Sequence, residues 1–249
     1  MNINDRNTIF IPGATSGIGL ALARRLKDRG NTVIVGGRRT DLLEQLRDEH
    51  GFHAVEIDTT DPCSIDSVAE RVTSEHPDLN GLLAMAGIMQ PEDWHGSDGF
   101  LSVAEETVTS NLLGPIRLIA AFTEHLQSRP ASTILTVSSG LASIPLGLTP
   151  TYNATKAAIH MLSESIRLQF ADTSVQVIEI VPPAVRTTLM NQENEPRAMP
   201  LDEFADETIR LLETEPDAHE ILVENVKFMR FAEQRGDYAS VVAAVNGQH

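Results

Sequence analysis

The sequence predicts an α/β protein, a single domain built on a doubly wound parallel sheet, and three observations predict it. Short apolar or β-branched runs alternate with amphipathic helical stretches along all 249 residues. The intervening helices are long enough for the right-handed crossovers that parallel strands require. The residues with chemical character fall just after the apolar runs, where sheets of this kind bind ligands. No Ser/Gly/Pro-rich linker, internal repeat or low-complexity tract divides the chain, so residues 1–249 are expected to form one unit, with a substrate loop at about 186–200.

Taken in order, Thr8 to Ile11 is an apolar run followed by a glycine-rich turn and a helical pattern (Ile18, Leu20, Leu22, Ala23, Leu26) closed at Gly30. Thr32 to Val35 predicts a second strand, Leu42, Leu43 and Leu46 a second helix, and His53 to Ile57 a third strand. Asp61-Pro62 opens a helix reaching about His76, with the proline in the first turn, where its missing N–H does no harm. Leu82 to Ala84 reads as a short fourth strand, residues 98 to 128 as a long helix, and Thr133 to Val137 as the fifth strand. A helix over 150–171, a strand over Val175 to Val181, a helix over Leu201 to Leu212, a short strand over Ile221 to Val223 and a helical C-terminus complete the pattern.

Composition narrows the function classes. A formal charge of −16 with no basic run to offset it opposes phosphate backbones and anionic membranes, so neither nucleic acid nor membrane is an expected partner. No apolar run has the length of a membrane span and no secretory signal is visible, so a cytoplasmic protein is expected. The one cysteine, Cys63, excludes an intramolecular disulfide framework.

Glycines 13, 17 and 19 lie between a predicted strand and a predicted helix, where glycine lets backbone N–H groups approach a pyrophosphate; a purely structural turn is the alternative. Tyr152 and Lys156, four apart on a predicted helix, share a face. An ammonium so placed is expected to favour the phenolate and lower the tyrosine pKa, as proton transfer to a carbonyl oxygen requires. Ser139 ends an apolar strand where a hydroxyl can face the cleft, with Ser138 as its competitor and a plain turn as the alternative. Asn111 sits in a helix weakened by Gly114-Pro115, and a mere irregularity would explain it equally. There is no Gly-x-Ser-x-Gly elbow, and His50 and His53 lack companions for a metal site, so no metal is expected.

Together these residues resemble the short-chain dehydrogenase/reductase family over essentially the whole chain, which implies a Rossmann-type fold. Pro12-Gly13-Ala14-Thr15-Ser16-Gly17-Ile18-Gly19 resembles the family's cofactor turn, Asp58 its adenine-contacting acid, and Ala86-Gly87 the end of its Asn-Asn-Ala-Gly motif. Asn111, Ser139, Tyr152 and Lys156 match in order and spacing, and the thirteen residues from Ser139 to Tyr152 favour it over Ser138. The resemblance implies that Tyr152 exchanges a proton with the substrate oxygen, Ser139 holds that oxygen, Lys156 binds the nicotinamide ribose and Asn111 positions a water. Pro182, Val185 and Thr187 would lie beside the nicotinamide. The stretch Pro182-Pro183-Ala184-Val185, residues 154–160 and the tail 226–233 are similar to the DltE-like subgroup of oxidoreductases. Three departures stand out: Pro12 for the usual Thr, Ala84-Met85 for paired Asn, and Pro183 for Gly.

The second strand ends in Gly36-Gly37-Arg38-Arg39, where a carboxylate would bind a ribose 2′-hydroxyl and an arginine a 2′-phosphate. NADP(H) is therefore expected over NAD(H), with Arg38 on the phosphate and Arg39 beside it or facing solvent. The expected reaction interconverts a carbonyl and an alcohol on a small apolar substrate. Its pocket walls would be Leu141, Ile144, Leu146, Leu148, Met89, Trp94 and the mobile segment 186–200, unless these are loop anchors. The alternative is a regulatory or scaffold protein that binds the cofactor with little turnover. The resemblance also implies a homodimer or homotetramer packed through the helices of Asn111 and Tyr152, where Ala157 and Ala158 permit close approach.

Overall fold

The computed structural model describes residues 3–4, 6–96 and 99–247. Seven strands form one parallel sheet: β1 (Thr8–Pro12), β2 (Thr32–Gly37), β3 (His53–Glu56), β4 (Leu79–Ala84), β5 (Ser132–Val137), β6 (Val175–Ile180) and β7 (Glu220–Ile221), ordered β3-β2-β1-β4-β5-β6-β7. The order reverses between β1 and β4, which opens a crevice at the carboxyl ends of those strands. The fold is the expected Rossmann-type one.

Alternation along the strands feeds two cores. Ile9, Ile11, Val33, Val35, Leu83 and Leu135 point to one face, covered by α1 (Gly17–Asp28), α2 (Thr40–His50) and α7 (Leu201–Thr214). Phe10, Ile34, Leu82, Ala84 and Ile134 point to the other, against α3 (Pro62–Glu75) and α5 (Gly114–Gln127), with α4 (Phe100–Val108) and α6 (Pro150–Gln169) completing that layer. Burying both faces is what lets a parallel sheet read as nearly continuous apolar runs.

Most expected elements form within a few residues of their expected bounds. The fourth strand is twice the expected length because Asn80-Gly81, turn-like in sequence, belongs to it. The Asn80 carboxamide accepts from the Thr8 amide at 3.0 Å and donates to Asn7 at 2.9 Å. A Cβ on Gly81 would lie 3.0 Å from the Ile9 side chain, so glycine eases the close approach of the two strands there. The expected long helix is interrupted by a π turn at Thr109–Leu113 between α4 and α5; its first expected residue, Asp98, lies outside the described residues. The C-terminus divides into α8 (Lys227–Arg230), α9 (Ala232–Arg235) and α10 (Tyr238–Val245).

Two departures from the family pattern have structural substitutes. Ala84 is buried in the second core, and Met85 packs against the first with its sulfur beside Gly19, so apolar packing replaces a polar brace. Pro12 ends β1 beyond its register with β4, where a missing N–H interrupts no ladder on that side. Among the described residues, no helix is long and apolar enough to cross a membrane.

Candidate active site

Every expected site residue lies at or beyond the carboxyl end of a strand, or on a helix facing that rim. At β1 the turn from Gly13 is fixed by backbone geometry: Gly13 and Gly17 have φ of 85° and 55°, and a Cβ on Gly13 would lie 3.1 Å from Ala86. This contact brings the β1 turn against Ala86-Gly87 after β4. Ser16 makes no side-chain cap to α1, so the first N–H groups of that twelve-residue helix are left to meet a ligand. The backbone cradle and the open helix start fit a dinucleotide's pyrophosphate.

Arg38 and Arg39 extend from the end of β2, both exposed. Arg39 folds back over the turn, donating to Thr15 Oγ1 at 2.9 Å and reaching Ser16 Oγ at 3.5 Å. Arg39 is thus exposed yet tethered to the turn. Asp58 after β3 accepts from the Thr60 amide at 2.9 Å and hydroxyl at 2.7 Å, bonds that hold its pKa below the usual range, with Arg38 adding to the effect.

Tyr152, Lys156 and Ser139 are brought together by the packing of α6 on β5. Tyr152 and Lys156 are buried on the inner face of α6. The Ser139 hydroxyl lies beside the Tyr152 phenol, where it favours the ionised form, and Ser139 Oγ accepts from the Leu141 amide at 3.1 Å. Neighbouring Ser138 points instead into the interior, its hydroxyl buried without a partner, so the position on the phenol goes to Ser139. Lys156 Nζ donates to the Val137 carbonyl at 2.8 Å and lies 5.5 Å from the Tyr152 ring centroid.

The electrostatics correct one expectation. Helical spacing alone implied that Lys156 would lower the tyrosine pKa, but burial dominates: it pushes Tyr152 up to about 12, with the neighbouring Ser139 hydroxyl acting the other way. Burial also pushes Lys156 down to about 8, opposed by Glu179. The ammonium is hydrogen-bonded to a strand carbonyl rather than to the phenol, so Tyr152 is a neutral phenol at physiological pH.

Asn111 lies in the π turn, buried, and its side chain clamps the chain after β4. It accepts from the Ile88 amide and donates to the Ile88 carbonyl, both at 2.7 Å. A Cβ on Gly87 would meet its Oδ1 at 3.0 Å. The helix irregularity at Asn111 thus carries a structural clamp. After β6, the Pro182 carbonyl accepts from the Gly140 amide at 2.9 Å, Val185 is buried beside Met199, and Thr187 stands against Gly17. The segment expected to be mobile is tied at its base, with Arg186 N bonded to Met199 O at 2.9 Å and Met199 N to Ala184 O at 2.8 Å.

The expected pocket walls divide. Ile144 is fully buried against Met229, Ala232 and Val241 of the C-terminal helices, with Leu141 packed on the same cluster, so these two anchor the loop. Asn246 tightens it further, accepting from the Gly147 amide at 2.8 Å and donating to the Pro145 carbonyl at 3.0 Å. Leu148 and Trp94 are exposed, and Trp94 stacks on Phe100 at 4.5 Å.

Two acidic residues escaped the sequence reading. Buried Glu92 accepts from the Thr151 amide at 3.1 Å, the Thr151 hydroxyl at 2.7 Å and the Trp94 indole at 2.8 Å, which places a carboxylate at the start of α6 one residue before Tyr152. Glu179, wholly buried on β6, bonds His160 Nδ1 at 2.8 Å. Neither belongs to a local motif, because their partners are 59 and 19 residues away in sequence.

A model of the short chain dehydrogenase family matches residues 7–198. The chain belongs to the short-chain dehydrogenase family. This short-chain dehydrogenase is 40% identical over 189 residues to the uncharacterized oxidoreductase DltE of Bacillus subtilis, covering 76% of this chain and 75% of that one. It is 27% identical over 191 residues to the NADP-dependent 3-hydroxy acid dehydrogenase YdfG of Escherichia coli, covering 72% and 73%. Among solved structures it resembles a short-chain dehydrogenase from Burkholderia cenocepacia in complex with NADP (TM-score 0.81, 23% identity, 97% and 99% covered). A relative from Burkholderia phymatum in complex with NAD gives the same TM-score at 18% identity, covering 95% of this chain and 96% of that chain. The chain is thus an oxidoreductase of this family, and relatives of its fold take either dinucleotide.

His160 yields a pH test. Its bond to Glu179 raises the imidazole above its usual 6.5, with burial acting the other way. The resulting stabilisation is fully present below about 6.5 and is lost as pH rises through the higher folded value. The melting-temperature difference between the natural protein and His160→Gln should therefore shrink between about pH 6 and about pH 9. A difference that stays constant or widens over that range would contradict this reading.

Proposed function

We propose that this protein is an NADP(H)-dependent oxidoreductase that interconverts a carbonyl and an alcohol on a small, largely apolar substrate, with Tyr152 as the proton-exchanging group. The carrying observation is the buried Tyr152–Ser139 hydroxyl pair with Lys156 beneath it, at the rim where the glycine turn lies. A bound nicotinamide would supply the hydride.

The chain's own groups would do the rest. Ser139 would hold the substrate oxygen, and Tyr152, a neutral phenol in its buried setting, would donate its proton to that oxygen in reduction and recover it in oxidation. Lys156 would bind the nicotinamide ribose while anchored on Val137. Asn111 would hold a relay water through its backbone carbonyl, because its side chain is committed to Ile88 and Pro115 has no N–H to bond that carbonyl. Gly13, Thr15, Ser16, Gly17, Ile18 and Gly19 would cradle the pyrophosphate, Asp58 would meet the adenine, and Ala86 and Gly87 would border the dinucleotide. Pro182, Val185 and Thr187 would lie beside the nicotinamide.

Arg38 and Arg39 favour NADP(H), because no carboxylate stands at the end of β2 to take a ribose hydroxyl and two guanidinium groups do. The NADP named for the Escherichia coli relative supports the same choice. Assembly as a homodimer or homotetramer would cover the outer faces of α5 and α6, where Leu113 precedes α5, Ile116 and Met161 are exposed, and Ala157 adds a small residue.

Two measurements test the proposal. Across a panel of aldehydes, ketones and alcohols followed by nicotinamide absorbance, Tyr152→Phe should lose at least about 100-fold in turnover while still enhancing NADPH fluorescence. Binding of NADPH without turnover by the natural protein would instead favour the regulatory reading. Replacing Arg38 and Arg39 together by serine should weaken NADPH binding roughly 10- to 100-fold and leave NADH within about twofold; equal losses for both would overturn the cofactor assignment.

A further inference from the structure

Beneath α6 lies a second set of charges that the chemistry above does not use. Glu179 is in register with Thr136 on β5, and Thr136 Oγ1 is 2.7 Å from Ser163 Oγ on α6, so Glu179 projects into the α6 layer. Its Oε2 bonds His160 Nδ1, while its Oε1 is buried without a partner. Lys156 is one helical turn before His160 on the same face, and its Nζ rests on the carbonyl of Val137, the residue after Thr136.

A carboxylate removed from water needs compensating positive charge. The titratable and charged groups around Glu179 are Lys156 and His160 on α6, Glu220 on β7 and Arg230 on α8. Glu220 Oε1 lies 3.5 Å from His160 Nδ1 and 2.9 Å from Arg230 Nε. Arg230 is thus engaged by Glu220, which leaves His160 bonded to Glu179 and Lys156 one helical turn away on the same face of α6. The ligand atoms of His160, Glu179 and Glu220 lie within 4.8 Å of one another, a spacing that would suit a metal ion, but the Arg230 guanidinium already supplies a cation there.

We propose that Glu179 is the buried counter-ion and positioning residue of Lys156, and that the protonation of His160 sets how much of the Glu179 charge Lys156 feels. With His160 protonated, two cations balance the two carboxylates of the cluster and little field remains for Lys156. When His160 loses its proton, the cluster carries one net negative charge, and the Lys156 ammonium is held more strongly. The direction in which Glu179 acts on Lys156, against burial, agrees with this arrangement. The functional meaning of the device rests on the Tyr152–Lys156 reading above, whereas its electrostatics do not.

The test uses the full chain with no ligand. The sequence has only three lysines, Lys27, Lys156 and Lys227, so protein labelled with carbon-13 lysine gives three Cε signals, with Lys156 assigned by its loss in Lys156→Met. The natural protein should show a Lys156 midpoint near 8, with a smaller inflection where the His160 imidazole titrates. Glu179→Gln should lower the midpoint by about one pH unit or more. An unchanged midpoint in folded Glu179→Gln would overturn the proposal. So would a natural-protein curve without the His160 inflection, a result that stands even if the variant does not fold. Neither outcome depends on turnover, so a failure here is distinct from a failure of the Tyr152→Phe test.

Discussion

The site depends on the packing of one helix against one strand. When α6 lies on β5, the face carrying Tyr152 and Lys156 leaves water, and the Val137 carbonyl and the Ser139 hydroxyl are among the few polar groups offered in return. Desolvation then controls the chemistry. The phenol is held neutral, the ammonium is weakened, and both side chains are fixed by what they can still bond. The neutral phenol is the form a carbonyl oxygen requires of a proton donor.

The surrounding structure keeps that packing in place. Glu92 satisfies the start of α6 from the chain after β4, Asn111 fixes that same chain through Ile88, and the C-terminal helices hold the loop between Ser139 and Tyr152 through Ile144 and Asn246. Three remote segments thus support one helix and the loop before it. The π turn belongs to the same scheme: it lets a residue inside a helix direct both ends of its carboxamide to the backbone of a neighbouring loop.

The strands and helices were legible in sequence because alternating burial on two faces leaves β-branched runs, and crossovers leave amphipathic stretches between them. The site residues were legible because chemistry collects where the strands end. What escaped was whatever depends on depth or on distant pairing. Four-residue spacing places Lys156 near Tyr152 but carries no information about burial, so the direction of the tyrosine shift was missed. Ile144 reads equally as pocket wall or anchor until the C-terminal helices are in place. Glu92, Glu179 and His160 carry no local motif, because strands and helices far apart in the chain create their surroundings. The fourth strand was read short at Leu82 because the partners that draw Asn80 into it, Asn7 and Thr8, lie more than seventy residues earlier in the chain.

The central claim, that burial keeps the Tyr152 phenol protonated, can be measured directly because the chain has only two tyrosines. With the exposed Tyr238 replaced in Tyr238→Phe, ultraviolet absorbance of tyrosinate reports Tyr152 alone. The account predicts no ionisation below about pH 10 in the folded, ligand-free protein, and a step only toward 12. A tyrosinate step near neutral pH in that variant would contradict it.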